Sequence, residues 1–231
     1  LVANAVDRVI VEYCTSKTSR IGRLAPATCK VVRLTEENDL TTKAGLEAAL
    51  RAVRQRNCLL WVSMPCTGVS AWQRMNATRA NARAGHANRI EEHEKLFAKL
   101  FRNLRSVARE AAEHGGKICI EWPAGNDYWK KDQVLALIKQ YQLHPVVFHG
   151  CAVNLTAENG MPMQKPWQLM TNVPEIRDTF RDFKCTRDHE HAICKGDDCK
   201  RSEEYTDTMV RKIHKAWKLH IQHPVSYTHL R

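Results

Sequence analysis

The thiol of Cys66 stands where an apolar run stops, in Leu59-Leu60-Trp61-Val62-Ser63-Met64-Pro65-Cys66-Thr67-Gly68. A strand that ends in Pro65 and hands a cysteine to a loop of small residues has the form of an exposed nucleophile. A second run, Lys117-Ile118-Cys119-Ile120-Glu121, stops at Trp122-Pro123 and leaves a carboxylate at its end, a residue type that moves protons beside a nucleophile. Glu12 closes an earlier run from Arg8, and Asp39 follows another from Lys30 to Leu34. Further along, Cys185-x3-His189-x-His191-x2-Cys194-x4-Cys199 has the ligand types and compactness of a structural zinc site, in a spacing that matches no standard finger.

Each of these residues also has an ordinary structural reading. Free cysteine is among the most buried residue types, so Cys66 can be a small core hydrophobe, the role expected of Cys14, Cys58, Cys119 and Cys151. Glu121 can be an ion-pair partner at a strand end, and Asp39 can support the turn before a helix by bonding to backbone. His189 and His191 lie between acidic residues in a polar stretch, where histidines are usually solvated.

The surrounding pattern says what must position these groups. Apolar runs at Arg8–Glu12, Lys30–Leu34, Asn57–Ser63, Lys117–Glu121, His144–Phe148 and Trp167–Thr171 read as strands. Between them, Leu46, Ala49, Leu50 and Val53 share one helical face. A stripe from Leu96 to Ala111 marks a helix over Glu91–His114 that Gly115-Gly116 ends, and Asp132–Tyr141 is another helix. Asn159-Gly160-Met161-Pro162 is a turn, and Glu203–Leu219 reads as a helix with Tyr205, Met209, Ile213 and Trp217 in line. Strands alternating with helices imply an α/β fold, a Rossmann-like, doubly wound, mostly parallel sheet with helices on both faces. Residues 1–174 form this unit, residues 175–219 a Cys/His-containing segment with a terminal helix packed on it, and residues 220–231 a tail. Ligands of such sheets lie beyond the carboxyl ends of the strands, where Glu12, Asp39, Cys66 and Glu121 gather.

The chain has 231 residues and a net charge of +11, a balance that favours a polyanionic partner, nucleic acid ahead of a membrane. No apolar stretch approaches the roughly 20 residues of a membrane span, and no signal-peptide core opens the chain. The expectation is a soluble intracellular protein without a membrane partner. Nine scattered cysteines do not look like a secreted disulfide framework. A start at Leu1 suggests a fragment, and Val225–Arg231 resembles a translated sequencing adapter.

The Pro65-Cys66 loop, the Ile120-Glu121 strand end and Asn159-Gly160-Met161-Pro162-Met163-Gln164-Lys165 occur in the order of three motifs of the C5-cytosine methyltransferases. That family carries a Pro-Cys-Gln nucleophile loop, a Glu-Asn-Val strand end and a Gly-x-Pro-Gln-x-Arg-x-Arg turn. The chain resembles it over residues 8–172, and is also similar to methyltransferase-like reading frames of mobile-element-rich algal and protist genomes. The resemblance implies that Cys66 adds to C6 of a cytosine, that Glu121 holds the N3 side of the ring, and that S-adenosylmethionine is the methyl donor. Glu12, Cys14, Ser19, Gly22 and Pro65 would then face that cofactor, with Asp39 near its adenosine part. Gln164 and Lys165, with Arg74, Arg79 and Arg83, would meet the nucleic acid, DNA ahead of RNA, in the nucleus if the source is eukaryotic. The base must leave its duplex for such chemistry while the basic surface grips phosphates.

The chain departs from the family pattern in several places. Its first loop keeps a single glycine, Gly22, and Arg33-Leu34-Thr35 stands where a ribose-binding carboxylate is expected, with Glu36 or Glu37 next to it. Thr67 replaces glutamine, Trp122 replaces asparagine and Lys165 replaces arginine, and there is little room for a target-recognition domain. Two further readings follow. One is a mobile-element-derived nucleic-acid-binding module that keeps the fold without catalysis. The other is a thiol enzyme in which a histidine such as His149 activates Cys66. The arginines of 74–89 can equally form a solvated surface.

Overall fold

The computed structural model describes residues 5–66 and 86–223, so Arg74, Arg79 and Arg83 lie outside the described residues. Six strands form one sheet: β1 (Arg8–Tyr13), β2 (Cys29–Leu34), β3 (Cys58–Val62), β4 (Lys117–Pro123), β5 (His144–His149) and β6 (Pro166–Thr171). Every residue of β1 and β3 is buried, which is why β3 reads as an unbroken apolar run and β1 as one flanked by the buried charges of Arg8 and Glu12. The spatial order is β2-β1-β3-β4-β6-β5. Pairings among the first four strands are parallel, whereas β6 runs antiparallel to both β4 and β5. From β1 the chain goes to β2 on one side, then returns to β3 on the other. The carboxyl ends of β1 and β3 therefore flank a topological switch point, the place where open α/β sheets form a ligand crevice.

Helices cover both faces of the mostly parallel sheet, as the alternating pattern implies. On one face α2 (Lys43–Val53), α3 (His86–Glu113) and α4 (Asp132–Gln140) bring Ala49, Val53, Phe97, Phe101, Leu104, Val134 and Leu137 against Val9, Val11 and Tyr13. On the other, α1 (Arg20–Arg23), α5 (Pro174–Phe180) and α7 (Asp207–Gln222) bring Ile21, Ile176, Phe180, Met209, Ile213 and Trp217 against Ile10, Leu59 and Cys119. The period of two along each strand splits the core into these halves. Gly115, at φ 74, ends α3 in the left-handed conformation that a glycine adopts without steric cost.

Three boundaries differ from the sequence pattern. The strand carrying Glu121 runs on through Trp122 to Pro123, because β6 pairs with it along that length. Helix α3 starts at His86, one turn before Glu91. The last helix starts at Asp207, not Glu203, because Thr206 caps it: its hydroxyl accepts from the Met209 N–H at 3.1 Å and donates to the Val153 carbonyl at 2.6 Å. Tyr205 thus stands outside the helix whose stripe it seemed to extend. A short helix, α6 (Asp197–Arg201), precedes it. Among the described residues no helix is long and apolar enough to cross a membrane.

Trp217 ties α7 to the sheet, with its ring buried and its indole N–H on the Val9 carbonyl at 3.2 Å. Replacing it by alanine should cost about 3–5 kcal/mol in urea unfolding. Leu135→Ala, at a half-exposed position, should change stability by no more than about 0.5 kcal/mol.

Candidate active site

A cleft of about 470 Å³ opens at the carboxyl ends of β1, β3 and β4. Glu12 lines it from β1, Cys14 and Ser19 from the first loop, Ser63 to Cys66 from the segment after β3, Glu121 to Pro123 from β4, Lys165 from just before β6 and Trp167 from β6. Its outer wall is a strap carrying Lys200, Glu203, Glu204 and Tyr205. Cys66 and Glu121, singled out by sequence as nucleophile and proton-handling group, share this cleft with Glu12, Cys14, Ser19, Pro65 and Lys165.

Strand register explains the convergence. Glu12 lies opposite Trp61, and Val62 lies opposite Ile120, so Ser63 and Glu121 follow at the same level. The alternation that sends Trp122 into one core sends Glu121 to the other side, toward Tyr205. The Tyr205 hydroxyl donates to Glu121 Oε2 at 2.7 Å, receives the Trp61 indole N–H at 3.0 Å and lies 2.5 Å from Ser63 Oγ. Burial raises the Glu121 carboxyl above its usual range, against the Tyr205 hydrogen bond and the charge of Lys165, which favour ionisation. Burial thus favours the protonated form of the carboxyl, the form that has a proton to give.

The backbone of the Cys66 loop is pinned from β4 and the turn beyond it. Trp122 Nε1 donates to the Met64 carbonyl at 2.9 Å, and Asn126 Nδ2 donates to the Cys66 carbonyl at 3.3 Å. Desolvation by burial pushes the Cys66 thiol up to about 11, the negative charge of Glu121 adds to the rise, and Lys165 opposes it. The Lys165 ammonium donates to the Ser202 carbonyl at 2.5 Å and sits 5.3 Å over the Trp167 ring, so it ties the strap to β6 while facing the cleft.

Glu12 is buried and both its oxygens are engaged, Oε1 by the Thr15 hydroxyl at 3.1 Å and Oε2 by the Ser19 hydroxyl at 2.5 Å, with Arg33 at 4.0 Å. It shapes the first loop from below. Burial raises its carboxyl despite these partners. Cys14 turns that loop at φ 65, and burial holds its thiol up to about 12.

Not every residue expected at the site lies in it. Gly22 is outside the cleft lining, because the Arg33 guanidinium covers it so closely that a Cβ there would fall 2.2 Å from Nη2. Asp39 is also outside, with its carboxylate turned onto the Thr41 backbone N–H at 3.1 Å and hydroxyl at 2.6 Å, the turn-supporting role that its position before α2 allows. Gln164 does not line the cleft although Lys165 does. His149 is not a partner for Cys66: its Nδ1 accepts from the Cys185 N–H at 2.8 Å, at the end of β5 and away from the cleft lining.

A second constellation forms beside β5. Cys185, His189 and His191 gather there as their spacing suggests, and Cys151 joins them, all four ligand atoms lying within 4.8 Å of one another. This group could hold a metal ion such as zinc. Cys194 and Cys199 stand apart from it and face each other at 3.5 Å, because the chain after His191 crosses to Pro162 through the Ala192 N–H. Cys151, half-buried, is thereby moved from the expected core set to the cluster.

Sequence reasoning missed Tyr205, Ser63, Trp61 and Cys151. For Tyr205 a signal exists: Thr206 followed by Asp207 is an N-cap with an acidic first turn, which ends the helix just short of the tyrosine. Cys151 carries no local signal, since its partners come from a distant loop.

No protein-family model matches the chain, and no curated protein matches it. A crystal structure of a Legionella pneumophila protein of the DUF519 family aligns with 71% of this chain at 10% identity and a TM-score of 0.32. The chain spans about half of that protein, 48% of its length, and a likeness this low carries no inference about activity.

Because burial pushes the Cys66 thiol up to about 11, its alkylation by iodoacetamide should be slow at pH 7 and rise about tenfold per pH unit below that value. At pH 8, Glu121→Gln should speed labelling by removing a negative neighbour, and Lys165→Met should slow it. Peptide mass spectrometry of the Cys66 site reads both rates, and equal rates in all three proteins would show that these charges do not act on the thiol.

Proposed function

We propose that the chain methylates C5 of cytosine in DNA, with S-adenosylmethionine as donor and Cys66 as covalent nucleophile. The observation that carries this reading is the meeting of Cys66, Glu121 and Glu12 in one cleft at the switch point of the sheet. The volume of about 470 Å³ falls in the range of small-molecule sites, roughly 300–1,000 Å³. The hydroxyls of Ser16, Thr18 and Ser19 and the carboxylates of Glu203 and Glu204 give the β1 side of the cleft donors and acceptors suited to a polar nucleoside. When bound, S-adenosylmethionine supplies an electrophilic methyl group on a sulfonium sulfur that departs as a neutral thioether.

The roles of the protein groups follow from their electrostatics. Cys66 attacks C6 as a thiolate, its proton passing to solvent, and the pair displaced from the C5–C6 double bond makes C5 nucleophilic. Glu121, in the protonated form that burial favours, gives its proton to N3 and so keeps negative charge from accumulating on the ring. The neutral state of Glu121 also removes the charge that raises the Cys66 thiol, while Lys165 favours the thiolate. The two requirements therefore pull in the same direction. After methylation, loss of the C5 proton to solvent expels Cys66, restores the double bond and returns the N3 proton to Glu121. The +11 charge would hold the phosphates of DNA while the base is extruded.

A second reading, a nucleic-acid-binding module without catalysis, is favoured by one observation: Glu12 spends both oxygens on its own loop, leaving the first loop without a free acidic group aimed at a ligand. Labelled S-adenosylmethionine and a duplex containing 5-fluorocytosine separate the two. The wild type should form a denaturation-stable protein–DNA adduct through Cys66, Cys66→Ser should form none, and Glu121→Gln should slow transfer by about 10²-fold or more. DNA binding without cofactor binding or adduct would establish the second reading, and transfer by Cys66→Ser would overturn the nucleophile.

A further inference from the structure

The strap that walls the cleft is irregular backbone for most of its length. Between Cys185 and Thr206 only α6 is regular, Ile193 is largely exposed, and besides the contacts of Cys185 and Tyr205 the attachments include Ala192 N–H to Pro162, Glu158 N–H to Asp198, Lys165 to Ser202 and Arg20 to Glu204. A segment with so little apolar burial has low local stability. Yet its end must hold Tyr205 on Glu121 to within hydrogen-bond distance.

At the other end of the strap lies the Cys/His group. Cys151 opens the short turn after β5, and Cys185, His189 and His191 come from the strap itself. Cys185 Sγ lies 3.8 Å from His189 Nε2 and 3.3 Å from His191 Nε2. A tetrahedral zinc with bonds of about 2.3 Å to sulfur and about 2.0 Å to nitrogen sets its ligand atoms about 3.3–3.8 Å apart. The two separations from Cys185 fall in that range, and all four ligand atoms lie within 4.8 Å of one another.

The surroundings of the ligands point the same way. Asp188 Oδ1 takes Nδ1 of His189 at 2.7 Å and is itself held by the Thr186 hydroxyl at 2.5 Å, which leaves the Nε2 lone pair facing Cys185. A carboxylate behind a histidine is the usual support of a metal-bound imidazole. The Arg187 N–H donates to Cys185 Sγ at 3.3 Å, a contact that stabilises a thiolate, and Arg187 at φ 62 turns the chain back so that His189 returns to the same point. His149 orients Cys185 through its backbone N–H.

We propose that Cys151, Cys185, His189 and His191 bind one zinc ion as a closed structural site, and that this ion pins the strap which presents Tyr205 to Glu121. Four protein ligands leave no open position for catalysis, so the ion acts through the fold. Cys194 and Cys199 take no part.

Full-length protein expressed with added zinc should carry one zinc per chain by elemental analysis. Cys151→Ser and Cys185→Ser should lose it, and Cys194→Ala and Cys199→Ala should keep it. Because a ligand variant can fail to fold, the wild type is also reconstituted with cobalt, which should give intense tetrahedral d–d bands with thiolate-to-cobalt charge transfer. Removing zinc from the folded wild type with a chelator should raise hydrogen exchange in residues 185–205 at least tenfold and leave β1, β3 and β4 protected. A folded wild type that takes up neither zinc nor cobalt overturns the site, as does zinc lost with Cys194 or Cys199 but not with Cys151. Unchanged exchange in residues 185–205 after metal removal overturns the pinning role.

Discussion

A carboxyl group buried at the end of a central strand must find a partner, and for Glu121 that partner is the hydroxyl of Tyr205. Much of the cleft depends on this contact. The same hydroxyl meets Trp61 and Ser63, so a single phenol bridges β3, β4 and the strap. The tyrosine ring also stands edge-on to Trp61 at 5.8 Å. The strap that gives the cleft its outer wall thus also covers Glu121, and it is this burial, against the Tyr205 hydrogen bond, that raises the carboxyl.

Around this contact the sheet acts as a positioning frame. Three of the parallel strands, β1, β3 and β4, deliver Glu12, Ser63, Cys66 and Glu121 to one edge, and the β1/β3 switch point opens the space between them. The antiparallel β6 adds Lys165 from the opposite direction, because a strand that runs the other way begins where its parallel neighbours end. Lys165 therefore enters the cleft as a cation near a thiol and a carboxyl whose ionisation it favours. The electrostatic character of the site comes from this mixture of strand directions.

Much of the frame was legible in the sequence because its signals are local. Buried parallel strands read as apolar runs in Val9–Val11 and Leu59–Val62, the stripe of Phe97, Phe101 and Leu104 repeats with helical period, and Pro65 and Pro123 mark strand ends. Gly115-Gly116 marked a helix end that the φ of 74 at Gly115 confirms. Less legible were features that depend on a distant partner. Tyr205 continues a helical stripe on paper, and only the engagement of Thr206 with Met209 and Val153 takes it out of the helix. Cys151 resembles any strand-end cysteine until the strap from Cys185 to His191 folds beside it. Gly22 and Asp39 looked like loop residues open to a ligand, and Arg33 and Thr41 occupy them instead.

By itself the amino-acid sequence determined the alternation of strands and helices, the burial of both sheet faces and the placing of a cysteine and a carboxylate at strand ends, since each follows from periodicity and breakers within a few residues. The tertiary structure alone decided that the Cys66 and Glu121 ends are neighbours in one cleft, that the Tyr205 hydroxyl meets the carboxyl, and that Cys151 completes the Cys/His group. The physical reason is that strand order, strand direction and the path of an irregular strap are set by long-range packing and hydrogen bonding, which leave no periodic trace in the chain.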